Sequence, residues 1–506
     1  MRRWRAFGFL TRGFALGLGL VLANPAPAAD KTLRVAITNL PTAKGNPYAT
    51  TATTPYLMFT AIFDTLTVID DKGEVHPWLA LAWTPQNPNT WHFKLRPNVV
   101  FSNGEPLDAF AVKTTFEFLI SPAAVAQSVA RDIDFISGAR VIDPLTVEII
   151  TKTPNILLPR YVSGINIVAP KHFLKVGLEG IAQEPIGTGP FKPQSWGAEK
   201  ALLAANRTSW RPPKLDYVEI LALPDATTRM QAIATKRVDI ATNINIDDVP
   251  ALEAAGNRFH TRNPTRISVM AMDNIKDGTP FKDMRVRQAM NYAVNREAIV
   301  KGLLAGMVEP ATQPAVPVAV GYVPGLQPYP YDPAKAKALL KEAGVENGFS
   351  FLAEMPTGAL ANDTAVAQQI ATDLAVVGIK MEIRTITFPQ LVKYMTVGDW
   401  KGYALMTDFA SAPALDMMRA FNRHSCHWPA PWYCDREIQP AIDAAERSFD
   451  LAERNALTQK AVQHYRDTAS SIFLYPIVSL DGVAARVTHW QPWNDNFMYH
   501  TADVKD

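Results

Sequence analysis

The sequence predicts an α/β protein in which helices cover mixed sheets. Three stretches predict it. Residues 215–252 read as a βαβ-like unit: the strand LDYVEILAL, a helix at 225–241 that Asp225 opens with Met230, Ile233 and Ala234 on one side, and the segment NINIDDVPAL. Residues 331–386 repeat the order, with a helix from Tyr331-Asp332-Pro333 to Gly344, a strand at 349–352, a helix at 360–377 ending at Gly378, and the cleanly alternating IKMEIRTITF. The apolar run Ile267 to Met272 is short and β-branched enough for a buried strand, and two helices follow it. Strands alternating with helices of this length point to βαβ units. A chain of 506 residues has room for two or three domains. Its 48% hydrophobic and 19% charged content suits a packed core rather than a disordered chain.

Taken in order, residues 1–29 read as an export signal. MRRWRAFGFLTR is basic, FALGLGLVLA is apolar, and Ala26-Pro27-Ala28 or Pro27-Ala28-Ala29 offers a cleavage site. An apolar run of about ten residues falls short of the roughly 20 that a spanning helix needs. No cysteine follows it, so no lipid anchor is expected. An exported protein without an anchor points to a periplasm; Arg2-Arg3 leaves the twin-arginine and general export routes both open. The net charge is +2, and subtracting Arg2, Arg3, Arg5 and Arg12 leaves −2. That balance gives no electrostatic case for nucleic acid or an anionic membrane.

Residues 32–38 form a strand, 40–55 a loop, and 56–67 an apolar helix leading to the strand TVID. Strands on either side of Asn87–Asn89 come next. Asp108 then caps a helix with Val112, Phe116 and Leu119 inward. Residues 139–150 form a hairpin around Asp143-Pro144, and Pro170 opens another helix. EPIGTGPFKPQSW (184–196) is a Gly/Pro turn into a strand; it lacks the spacing of a phosphate loop and no helix follows it. After the central strand, Asp283 precedes a helix with Val286, Met290, Ala293 and Val294 on one face, and Asn295 caps the next, which stops near Gly306. Helices at 436–449 and 452–470 lead to IFLYPIVSL and HWQPWNDNFMYH, both strand-like.

Enzyme motifs do not assemble. H-E-x-x-H, G-x-S-x-G and an S-x-x-K tied to K-T-G are missing, and the nine histidines are dispersed. No catalytic residue and no cofactor is expected. Cys426 and Cys434, the only cysteines, lie in RHSCHWPAPWYCD beside His424 and His427. A disulfide fits an exported chain, and zinc ligation or free thiols are the alternatives. Trp400, Tyr403, Phe409, Trp428, Trp432 and Tyr433 crowd the same region, as core or as the flat walls of a binding cleft.

The segment FKDMRVRQAMNYAVNREAIVKGLLAGMVEPA (281–311) resembles the signature of the extracellular solute-binding proteins of family 5, the peptide- and nickel-binding group served by ABC transporters. TWHFKLRPNVVFSNGEPLDAFAV and IGTGPF resemble further family segments. The resemblance implies a two-lobe type II periplasmic binding fold with a domain inserted in the first lobe. The expected division is 1–29 signal; 30–48, 186–268 and 482–506 first-lobe core; 49–185 insertion; and 269–481 second lobe. The chain would cross between lobes near 266–272 and 479–484. The implied ligands are di- or oligopeptides, with opines, nickel chelates and other amino-acid conjugates inside the family's range. The implied partner is an inner-membrane ABC permease, and the protein acts as a monomer. A secreted hydrolase or chaperone on the same body is the competing reading. Peptide-binding relatives place an aspartate for the ligand's ammonium in the segment matching 403–418. Here either Asp408 or, in a gap-free register, Ser411 takes that place, with Trp400, Tyr403 and Phe409 as aromatic contacts.

Overall fold

The computed structural model describes residues 30–50, 53–356, 362–494 and 496–505, so the proposed export signal lies outside the described residues. None of the described helices is long and apolar enough to cross a membrane.

Two principal sheets organise the fold. The first has seven strands in the order Arg258–Arg262, Ser479–Val483, Ile240–Ala241, Thr32–Ile37, Tyr217–Ala222, Lys200–Ala205, Phe191–Trp196. Strand Thr32–Ile37 runs parallel to both its neighbours, and the other pairings are antiparallel. Helix Ala226–Ala234 crosses from Tyr217–Ala222 to Ile240–Ala241, so the βαβ order expected at 215–252 is present, but the helix stops short of 241, the second strand is Ile240–Ala241, and NINIDDVPAL instead holds a 3-10 turn and helix Val249–Ala254. Asp225 caps it by accepting from the Thr228 amide.

The second sheet has five strands in the order Lys380–Ile386, Ser350–Pro356, Ala404–Ala410, Arg266–Met272, Ser471–Pro476. Its fourth strand, Arg266–Met272, lies between two others, is antiparallel to both and is almost wholly buried. Apolar side chains on both faces are what that position demands, and the run Ile267–Met272 supplies them. Helices Met284–Ala293 and Arg296–Leu303 follow, capped by Asp283 and Asn295 as their sequence predicts.

A third, antiparallel sheet joins Ala80–Asn87, Thr90–Leu95, Thr146–Thr151 and Ile136–Asp143. Helix Ala109–Leu119 buries Val112, Phe116 and Leu119 under it. This region shares one apolar core with the seven-stranded sheet, in which Val35 and Ile220 belong with Phe93 and Phe116.

The two large sheets are joined by residues 263–265 and 477–478, since 258–262 and 479–483 pair in one sheet and 266–272 and 471–476 in the other. Both crossings fall earlier than the expected 266–272 and 479–484. IFLYPIVSL is therefore two strands of different sheets, broken at Ile477-Val478. Residues 479–481, expected in the second lobe, pair within the first-lobe sheet. The tail HWQPWNDNFMYH is not a strand. It packs rings instead: Trp490, Phe497 and Tyr499 are buried, with Phe497 edge-on to both others. Aromatic content signals β-structure only weakly when the same rings can fill a core from a loop.

Candidate functional site

Between the two lobes lies a cleft of about 2260 Å³. That exceeds the roughly 300–1,000 Å³ of ordinary small-molecule pockets, so a small ligand there leaves room for bridging water. The first-lobe wall includes Asn39, Thr42 and Asn245; the insertion contributes residues 130–137; the second-lobe wall includes Arg266, Met406, Asp408 and Tyr475.

Several contacts span it. The Tyr161 hydroxyl, from the insertion, donates to Asp416 Oδ2 at 2.7 Å. Asp416 is fully buried in the second lobe, where Arg454 Nη2 donates to both its oxygens at 2.9 Å. Burial first, and then the Asp416 charge, raise the Tyr161 phenol well above its ordinary value, so it remains a donor. Arg160 Nε donates to the Ala414 carbonyl at 2.8 Å. Arg419 Nη2 reaches Asp132 at 3.0 Å, and its Nη1 reaches the Ala410 carbonyl at 3.1 Å. Gly164 lies against Pro413: a Cβ there would come 2.5 Å from Pro413 Cγ, so only a glycine permits this approach. Contacts of this kind exist only while the lobes are together, so the arrangement is a closed one.

A buried ion pair pins the first-lobe strands that lead into the hinge. Arg262 and Asp481 face each other at 2.9 Å with almost no exposure, and Arg262 Nη2 donates to Asn243 Oδ1 at 2.6 Å.

Asp408 stands on strand Ala404–Ala410, opposite Ser268, and lines the cleft. Its nearest cation is Arg266, at 3.9 Å. Phe409 does not line it: successive strand residues face opposite ways, so Asp408 in the cleft sends Phe409 into the core beneath, where it is fully buried edge-on to His424 at 4.3 Å. Ser411 is fully buried as well, its amide bonded to the Thr265 carbonyl. Trp400 packs on Trp432 and donates to the Tyr394 carbonyl. Tyr403 sits beside Lys276. At about 3.3 Å per residue, Tyr403 is roughly 17 Å along the strand from Asp408. The expected aromatic wall is thus mostly core, because these rings stack on one another below the sheet. Of that group Trp428 reaches the cleft.

Cys426 and Cys434 form a disulfide, with S–S 2.08 Å and Cα–Cα 4.4 Å. Their sulfurs are therefore not metal ligands. His424 is buried against Ser471 Oγ at 2.7 Å, and His427 pairs with Asp443. Two other donor groups, Asp70/Glu74/His76 and Asp435/Glu437/His464, have the proximity a metal needs, but neither lines the cleft.

The cleft's arginines were not singled out by the sequence. A signal existed: Arg419 and Arg423 are four residues apart on helix Met417–Arg423, like charges on one face, which a helix tolerates poorly without partners.

The model of the bacterial extracellular solute-binding proteins, family 5, matches residues 74–426, more than half of the chain. The chain belongs to this family. Curated relatives of this family 5 chain include the glutathione-binding protein GsiB of Escherichia coli K12, 28% identical over 484 residues, spanning 88% of this chain and 89% of that one. The GsiB of Salmonella paratyphi A is 28% identical over 487 residues, 90% and 91% of the two chains. Among solved structures, the periplasmic binding protein DppA from Helicobacter pylori in complex with the peptide STSA superposes with a TM-score of 0.81 at 22% identity, covering 94% and 98%. NikA from Brucella suis in complex with Fe(III)-EDTA gives 0.82 at 22% identity, covering 94% and 100%. The shared fold is the two-lobe type II binding-protein fold expected from the sequence.

Proposed function

We propose that this protein is the substrate-binding component of an ABC importer, acting in the periplasm as a monomer, and that it captures a short peptide or similar amino-acid-derived solute. The observation that carries this reading is the cleft itself, lined by charged and amide groups and bridged by contacts that exist only with the lobes together. A ligand that touches both walls binds the closed form better and so shifts the balance toward it. A permease that meets both lobes then reads closure as occupancy. Asp408 is the residue we assign to a ligand ammonium, since a carboxylate is the group a desolvated ammonium requires. The glutathione and peptide ligands named for the relatives are solutes of this class. The ligand leaves unaltered: the role is capture and delivery, without catalysis.

Two measurements test it. Mass spectrometry of material co-purifying with the protein identifies the solute, and calorimetry with that compound gives a single binding event. Incubation with a peptide library checks for cleavage; turnover would favour a hydrolase and defeat the proposal.

A further inference from the structure

Outside the cleft, one hairpin gathers metal-ligating side chains where the two lobes meet. Strands Thr67–Ile69 and Val75–Pro77 pair antiparallel, and residues 70–74 turn between them. Asp70, Glu74 and His76 each offer a donor atom, and the three atoms lie within 4.8 Å of one another. Asp70 is buried. Its Oδ1 accepts from the amides of Lys72 and Glu74 at 2.9 and 2.8 Å, which leaves Oδ2 to face His76 Nε2, 2.8 Å away. The His76 ring packs on Trp493 at 5.6 Å. Two of the three donors are thus oriented by groups that are not themselves ligands, the support that metal ligands ordinarily have. Asn494, 8% exposed, donates through Nδ2 to the Asp70 carbonyl at 2.7 Å. Its Oδ1 is buried with no hydrogen-bond partner among the described residues, and a metal-bound water is the kind of donor it lacks.

A carboxylate oxygen and an imidazole nitrogen this close need a hydrogen or a metal ion between them. One imidazole and two carboxylates suit a zinc-class ion, with further positions left to water; magnesium prefers six oxygens. The turn sets Asp70, Asp71 and Glu74 against Lys72, a balance that attracts a divalent cation. The same turn touches the parts that move. The Gly73 carbonyl accepts at 2.8 Å from Nη1 of Arg160, whose Nε reaches the Ala414 carbonyl of the second lobe. A Cβ on Gly73 would stand 2.5 Å from the Val318 carbonyl oxygen, and Val318 packs on the second-lobe core. Asn263, in one of the two links between the large sheets, donates to the Asp71 carbonyl at 2.5 Å. The other donor group, Asp435, Glu437 and His464, comes wholly from the second lobe.

We propose that Asp70, Glu74 and His76 form a binding site for a zinc-class divalent ion, and that its occupation favours the closed arrangement. Closure orders the turn through Val318, and an ion orders it through three ligands, so each lowers the cost of the other. None of the three ligands lines the cleft, so the ion acts without touching the solute. Ion binding stands on the hairpin alone; the effect on closure rests on the reading of the cleft as a solute trap.

Calorimetry on the untagged protein after chelator treatment, titrated with zinc chloride and separately with magnesium chloride, tests the site. The wild type should bind zinc at micromolar concentration and give no heat with magnesium. Glu74→Gln and His76→Gln should each weaken zinc binding at least roughly tenfold, since the outer-shell partners of a metal alone are worth about 10–100-fold. Glu74 is exposed, so Glu74→Gln tests the site with folding intact, and matching urea midpoints check this. Small-angle X-ray scattering of the solute-free protein then reads closure. Zinc should lower the radius of gyration of the wild type and leave that of Glu74→Gln unmoved. Absence of micromolar zinc binding by the wild type overturns the proposal, as does equal binding by the wild type and both variants, which places the ion elsewhere. Zinc binding with an unchanged radius of gyration overturns the coupling to closure and leaves solute capture untouched.

Discussion

Asp64 and Asp416 are both buried beside arginines, and they serve different ends. Asp64 lies within the first lobe and accepts from Trp78 Nε1 at 2.7 Å, Trp210 Nε1 at 3.0 Å, Thr188 Oγ1 at 2.7 Å and Arg211 Nε at 2.8 Å. All these donors come from the same lobe, so the charge is satisfied whether the cleft is open or shut. Asp416 takes Arg454 from its own lobe and Tyr161 from across the cleft. One of its bonds exists only on closure. The same chemistry, a carboxylate shielded from water, is a fixed pin in one place and a conformation-dependent bond in the other. The difference lies in which side of the hinge supplies the donors.

This contrast predicts which measurement each variant moves. Asp64→Ala leaves Arg211 buried without its carboxylate. It should lower unfolding free energy by about 3–5 kcal/mol in urea titration, or prevent folding, with affinity unchanged in whatever folds. Tyr161→Phe removes only the bond across the cleft. It should weaken ligand binding by about 1.5–3 kcal/mol, the range for a hydrogen bond to a charged group, and leave the urea midpoint of the ligand-free protein almost unmoved. Were Tyr161→Phe to destabilise the empty protein as much as Asp64→Ala, the contrast would fail. Gly164→Ala places a methyl against Pro413, so it should reduce affinity through faster ligand release, read by stopped-flow, by about 1–2 kcal/mol.

A smaller, pH-dependent effect belongs to neither aspartate. Burial holds His424 down to about 3, and burial with the Arg211 charge holds His500 down to about 4. Both are neutral in the folded state near pH 6.5, the ordinary histidine value. On acidification the unfolded chain takes up their protons first. Their contribution to stability is therefore complete above about pH 6.5 and is lost as pH falls from there toward 4 and then 3. Urea midpoints should decline over that window, and His424→Gln should flatten the decline.

Much of the scaffold was legible in the sequence because its signals are local. Asp108, Asp225, Asp283, Asn295 and Asp332 each cap the helix they precede. The buried strand Arg266–Met272 follows from an unbroken apolar run. The crossings were misplaced by a few residues because IFLYPIVSL is apolar throughout, and only pairing partners show where one sheet yields to the other. The site was less legible. Asp408, which lines the cleft, was grouped with its neighbour Phe409 although a strand turns the two apart. Asp132 meets Arg419, and Tyr161 meets Asp416, across more than 250 residues of chain, and no local pattern announces such a meeting.

Closure on a solute is the central claim, and distance measurement between spin labels at Val125→Cys and Val392→Cys tests it most directly. Both positions are exposed, lie on opposite lobes and border the cleft. Adding the solute recovered from the purified protein should collapse a broad distribution to one short distance, and Tyr161→Phe should restore part of the breadth. An identical distribution with and without that solute would contradict the account.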